Sequence, residues 1–316
     1  MISRRTFLKG FLALSATGAT FGGYALAEPF RMRVTRYQLT PPGWPEGLHV
    51  KLAVLADLHV IEPWMGLSRL SQIVARTNAL NPDAVLLLGD YVPSYGMKKW
   101  ARRVGGRDVG HDEWASVLAK LQAPYGVHAV LGNHDWWEEE SVQDRRAGPT
   151  LAGAALERAG INLHENTAIR FDKDGQGFWI AGLGDQWSFY KIKDPTCGCY
   201  VGVDDAPLLA RRITDDAPVV LMAHEPDFFA DMGELKDRVS LTISGHTHGG
   251  QVTFMGYRPV VPSRFGDRYA YGHIVEDGRN LIVSGGLGCS GLPIRFGAPP
   301  EIVMIELGGE GEGAVA

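Results

Sequence analysis

A chain of 316 residues, 45% hydrophobic and 21% charged, has globular composition and enough length for one large domain or two modest ones. Its formal charge of −5 excludes a broadly basic surface, and with it nucleic acid as an expected partner. Three cysteines, Cys197, Cys199 and Cys289, exclude a disulfide framework and leave either one bridge to Cys289 or three free thiols.

The chain opens MISRRTFLKGFLALSATGATFGGYALAEP. Arg4 and Arg5, then Phe7, Leu8 and Lys9, then a mildly apolar run ending at ALA, resemble a twin-arginine export signal. Cleavage after Ala27 removes three cations and no acid, which takes the formal charge from −5 to −8. The alternative is an uncleaved anchor, since residues 10–27 only just reach the length needed to span a bilayer. Export places the protein in the periplasm or on the outer face of the cytoplasmic membrane, with the twin-arginine translocase as a transient partner. Residues 28–316 then form one domain.

Apolar runs that predict strands follow at 50–56, 84–88, 127–131, 177–183, 218–223, 240–244, 281–284 and 302–306. Helix-period segments lie between the early ones, at 67–80, 112–122 and 150–159. This βαβαβ start predicts an α/β fold, with no repeat and no linker dividing the mature chain. Ionisable residues follow the apolar runs directly, in LAVLADLH, AVLLLGD, HAVLGNHD, VVLMAHE and LTISGHTH. Ligands bind at the carboxyl ends of strands in α/β sheets, so these scattered segments are expected to converge.

ADLH (56–59), GD (89–90), GNHD (132–135), AHE (223–225) and GHTHGG (245–250), in that order, resemble the calcineurin-like metallophosphoesterases. The ending GGLGCSGLPIRFGAPPEIVMIEL resembles the exported or membrane-associated branch, so the likeness runs from about residue 50 to 307. The residues alone offer carboxylates, an amide and imidazoles without thiolates, a donor set suited to two divalent ions. The resemblance implies a central β-sandwich of two mixed sheets flanked by helices. It implies one metal on Asp57, His59, Asp90 and His248, and another on Asp90, Asn133, His224 and His246. Manganese, iron, zinc and cobalt all suit such ligands. Two ions about 3.5–4 Å apart would share a water or hydroxide able to attack phosphorus. His134 would then protonate the leaving group as general acid, with Asp135 orienting it.

Around these blocks, Trp64, Trp136, Trp137 and Trp187 suggest an aromatic rim suited to an apolar, glycan or lipid-linked phosphoester. The basic segment 93–112, with Lys98, Lys99, Arg102, Arg103 and Arg107, reads as a lid or a site of peripheral membrane contact, and Arg295 as a contact for substrate phosphate. His49, His111, His128, His164 and His273 have no such context and read as ordinary histidines. The expected activity is hydrolysis of a phosphoric ester, with a phosphodiester or phospholipid type favoured. One alternative is pyrophosphate hydrolysis of the UDP-2,3-diacylglucosamine type, although that substrate is cytoplasmic and the export signal argues against it. Another is a metal-binding scaffold without turnover.

Overall fold

The computed structural model describes residues 21–196 and 198–309, together with the backbone of 313–315. Arg4, Arg5 and Lys9 of the expected export signal therefore lie outside the described residues, as does Cys197. Among the described residues, no helix is long and apolar enough to cross a membrane.

The strands, in chain order, are β1 (Arg33–Leu39), β2 (Val50–Leu55), β3 (Ala84–Leu87), β4 (Val127–Ala129), β5 (Asn162–Leu163), β6 (Thr167–Lys173), β7 (Gln176–Gly182), β8 (Phe189–Lys193), β9 (Tyr200–Val201), β10 (Val219–Met222), β11 (Val239–Ser244), β12 (Gly272–Glu276), β13 (Arg279–Val283), β14 (Glu301–Leu307) and β15 (Gly313–Val315). Two mixed sheets carry the fold, in orders β15-β1-β14-β2-β3-β4-β5 and β12-β13-β11-β10-β7-β6, and β8 pairs with β9 in a small third sheet. In the first sheet β2, β3, β4 and β5 run parallel. In the second, β7, β10, β11 and β13 run parallel. The expected sandwich of two mixed sheets flanked by helices is what forms.

Side-chain alternation explains why the central strands read as unbroken apolar runs, because both faces of each sheet are covered. On β2, Leu52 and Val54 enter the core between the sheets, where they join Leu86, Phe178, Ile180, Val220, Ile243 and Ile305. Ala53 and Leu55 point the other way, into a second core closed by helices. The helix Leu67–Asn78 supplies Leu70, Ile73 and Val74, and the helix His111–Leu118 supplies Trp114, Val117 and Leu118. The helix Leu151–Arg158 adds Ala152, Ala155 and Leu156, with the Thr150 hydroxyl accepting from Gly153 N–H at its start.

Two expectations change. The basic segment carries Lys98, Lys99, Arg102 and Arg103 on a packed helix, Tyr95–Arg103, rather than on a lid. Met97 and Ala101 anchor it in a small cluster with Ile61 and Cys289. A bridge to Cys289 does not form either: that thiol is free and buried beneath this helix. Cys199, beside β9, is disulfide-bonded.

Candidate metal centre

The chain leaves β2, β3, β4, β10 and β11 at one edge of the sandwich, and the motif blocks begin there. Hydrogen bonds stitch neighbouring exits together within each sheet. Asp57 N–H donates to Gly89 O, His59 N–H to Asp90 O and Gly245 N–H to His224 O. The backbone turns sharply at the same places: φ is +52° at Asp57, +43° at His59, +56° at Asp90, +68° at His246 and +54° at His248. Left-handed backbone at a non-glycine residue costs ~1 kcal/mol or more, and survives only where the surroundings over-determine it.

These turns bring two buried groups together. Asp57, His59 and His248 form one, and Asp90, His224 and His246 the other, with donor atoms in each group within 4.8 Å of one another. Asp90 stands between them, its Oδ2 3.5 Å from His59 Nε2 and 3.4 Å from His224 Nε2. The imidazoles of His59 and His248 stack, with their Nε2 atoms 3.1 Å apart.

Each carboxylate divides its two oxygens. Asp57 Oδ1 accepts from His246 N–H at 2.9 Å, and Asp90 Oδ1 from His134 N–H at 2.8 Å. Asp57 Oδ2, Asn133 Oδ1, His224 Nε2 and His246 Nε2 are buried without a hydrogen-bond partner. Buried polar atoms are rarely left so, and several in one place mark a missing charge. Backbone carbonyls fix two of the rings from behind: His59 Nδ1 lies 2.9 Å from Val92 O and His224 Nδ1 2.6 Å from Leu88 O. An Nδ1–H donated there leaves Nε2 to face the site, the usual arrangement behind a metal-binding histidine.

The electrostatics agree with that donor set. Burial pushes His59 down to about 4 and His246 down to about 3, so both rings are neutral donors. Burial also lowers His248, helped by His59 and Arg295. Burial alone would raise Asp90, but His224, His134 and His59 hold it well below the usual carboxylate range. Burial raises Asp57 to about 7, against the pull of His224. His224 gains a proton through Asp90 despite its burial. A cation would replace that proton. The residues present therefore fit two divalent ions.

A cleft of about 470 Å³ opens from these groups, lined by Asp90, Asn133, His134, His246 and His248. His134 stands at its floor, its ring 5.2 Å from that of His59. Its partner differs from the expected one. Asp135 does not orient the His134 ring; it accepts four backbone N–H groups, from Asp90, Tyr91, Val92 and Gly132, and so clamps two strand exits together. The carboxylate beside the ring is Glu138, with Oε1 3.5 Å from His134 Nδ1. Glu138 is itself held by Lys98 Nζ at 2.9 Å and by Tyr95 N–H at 2.8 Å.

Three further expectations are corrected. Arg295 is fully buried, and its guanidinium donates to the carbonyls of Gly285, Gly288 and Ala298. Its Nη2 sits 3.3 Å from His248 Nδ1, so it supports a site ring and does not face a substrate. Trp136 is buried against Phe189 in the helix-side core. Trp64 lines a separate hollow with Glu62 and Arg69. The aromatic wall of the cleft is Trp137 and Trp187, joined by the indole N–H of Trp137 donating to Trp187 O. Sequence reasoning also passed over Gln251. Its amide donates to Ser290 O and Leu292 O and accepts from Ser290 N–H, holding that loop over the cleft.

Two clusters of buried nitrogen and oxygen donors, one carboxylate between them, and a histidine at the floor of an adjoining cleft define a class of metal-dependent hydrolases. The chain belongs to the calcineurin-like phosphoesterases, whose family model matches residues 50–250. It is a metal-dependent phosphoester hydrolase. It is similar to the metallophosphoesterase YkuE of Bacillus subtilis, 28% identical over 313 residues, covering 97% of this chain and 98% of the relative. It is also similar to the phosphodiesterase YaeI of Escherichia coli, 29% identical over 314 residues, covering 97% of this chain and 100% of that one. A dimetal phosphatase from Danio rerio aligns with a TM-score of 0.45 at 14% identity, covering 75% of this chain and 88% of the other.

Proposed function

We propose that this chain hydrolyses a phosphodiester carrying an apolar substituent, with two divalent ions held by Asp57, His59, His248, Asp90, Asn133, His224 and His246. The observation that carries this is the convergence of two buried donor groups, with unpaired atoms, on a cleft whose outer wall is apolar. Bound there, the ions supply Lewis acidity, neutralising phosphoryl charge and lowering the pKa of an attacking water. The protein does the rest. Asp90 holds the two groups in register, while Asp135 fixes the loops that carry Asp90 and Asn133. His134 gives its proton to the leaving oxygen, with Glu138 and Asp90 favouring its charged form against the opposing effect of burial. Trp137 and Trp187 receive the apolar group and keep water from that side.

The export motif supports an envelope location, which disfavours the cytoplasmic UDP-2,3-diacylglucosamine pyrophosphate as substrate. A scaffold without turnover has no support in the donor set, in which no motif residue is missing.

Metal content and turnover of two variants test the assignment. Asp90→Ala is expected to lose metal and activity together. His134→Ala is expected to keep its metal while losing about 10²–10⁴-fold in rate. Equal metal loss in both would remove His134 from the acid role.

A further inference from the structure

The segment 252–262, VTFMGYRPVVP, supplies Val252, Pro259, Val260 and Pro262 to the outer wall of the cleft. Its tip is a two-residue hairpin: Phe254 N–H donates to Tyr257 O and Tyr257 N–H donates back to Phe254 O, both at 2.9 Å. Met255 and Gly256 between them have φ of +49° and +86°, the left-handed pair of a type I′ turn. Asn, Asp or Gly usually fills the first of these positions, because a larger side chain is strained there. Here it is a methionine, 93% exposed. It gains almost nothing from packing within this molecule. Phe254, Tyr257 and Val260 are exposed as well. Such a contiguous apolar surface marks a place that meets something else.

The surface continues on both sides of the tip. Phe254 approaches Phe296, which also meets Phe21 and Tyr24 in the helical stretch 21–27. Phe21 and Tyr24 therefore lie on this same face. Across the cleft mouth, the half-exposed Leu292 follows Gly291, whose N–H donates to Ser94 Oγ at the start of the helix Tyr95–Arg103. Lys98 and Arg107 are paired with Glu138 and Glu113. Lys99, Arg102 and Arg103 are exposed and pair with no carboxylate among the described residues. Exposed cations on the helix that starts beside the cleft mouth, with Arg103 also lying over the Trp100 ring, and an exposed apolar tip on the other wall complement an anionic lipid surface, on a chain of net charge −5.

We propose that this face docks on an anionic phospholipid bilayer, with the Phe254–Tyr257 tip at headgroup depth and Lys99, Arg102 and Arg103 against lipid phosphates. The cleft mouth, between tip and helix, then opens onto the membrane surface. This does not rest on the hydrolytic reading, because the tip and the cations lie outside the metal groups.

Sedimentation of the full-length protein with vesicles tests it, using phosphatidylcholine alone and an equal mixture with phosphatidylglycerol. The unaltered chain is expected to pellet with the mixed vesicles and far less with phosphatidylcholine. A Phe254→Asp/Met255→Asp variant is expected to lose about tenfold in partitioning. An Arg102→Glu/Arg103→Glu variant is expected to lose a similar factor. Both are expected to keep the unaltered chain's melting temperature and its rate on soluble bis-p-nitrophenyl phosphate. Partitioning unchanged in both variants, or no partitioning of the unaltered chain, would overturn the proposal. Absence of soluble turnover throughout would bear on the hydrolytic reading and leave this one standing.

Discussion

At the scale of single residues, the site depends on what each side chain gives to the backbone and what it withholds. Asp57 and Asp90 each spend one oxygen on an N–H, from His246 and His134 respectively, and present the other to the donor groups. Glu138 does something comparable for His134, because its oxygens are fixed by Lys98 and Tyr95 before it meets the imidazole. Glu138→Gln is therefore expected to slow hydrolysis of a diester with an alkyl leaving group by about tenfold or more, and to change p-nitrophenolate release much less. The comparison of the two rates is the readout; an equal loss with both leaving groups would mean that Glu138 only shapes the fold. The motif residues were legible because adjacent residues in the chain remain adjacent at a strand end. Glu138 was not, since it pairs with His134 across one turn of a helix, Asn133–Trp137, too short to show a periodic pattern. Arg295 misled for the opposite reason: its charge was visible, but not the ring of carbonyls that buries it.

At the scale of elements, the parallel strands deliver the chemistry and the turns after them aim it. Gly132, between β4 and the helix that follows, shows how tight that aim is: a Cβ there would sit 2.5 Å from both Asp90 Oδ1 and His224 Cε1. Gly132→Ala is expected to reduce turnover by about a hundredfold through displacement of those two side chains, with a smaller effect on melting. Measuring metal content beside rate checks it, and unaltered metal binding and rate would refute it. The central strands and the three helix-period segments were readable because burial on both faces, or along one stripe, leaves a pattern. β6 and the β8–β9 pair were not, because nearly all their residues except Phe189 are exposed or half-buried and form few apolar runs. The helix Tyr95–Arg103 was hidden by its basic residues, and only Met97 and Ala101 of its nine are buried.

For the whole molecule, two sheets must close on each other for the site to exist at all. The first contributes Asp57, His59, Asp90 and Asn133 and the second His224, His246 and His248, so neither donor group is complete within one sheet. This is why the order of motif blocks along the chain was informative: it encoded which strand ends a sandwich brings to one edge. The apolar hairpin tip and the exposed cations were not legible as a surface, since Phe21, Tyr24 and Phe254 come together at Phe296, and Ser94 meets Gly291, only after folding. The most direct test of the central claim is the rate of bis-p-nitrophenyl phosphate hydrolysis as manganese is returned to metal-stripped protein. A rate that is negligible without metal and saturates near two equivalents is the predicted result. No turnover with two equivalents shown to be bound would contradict it.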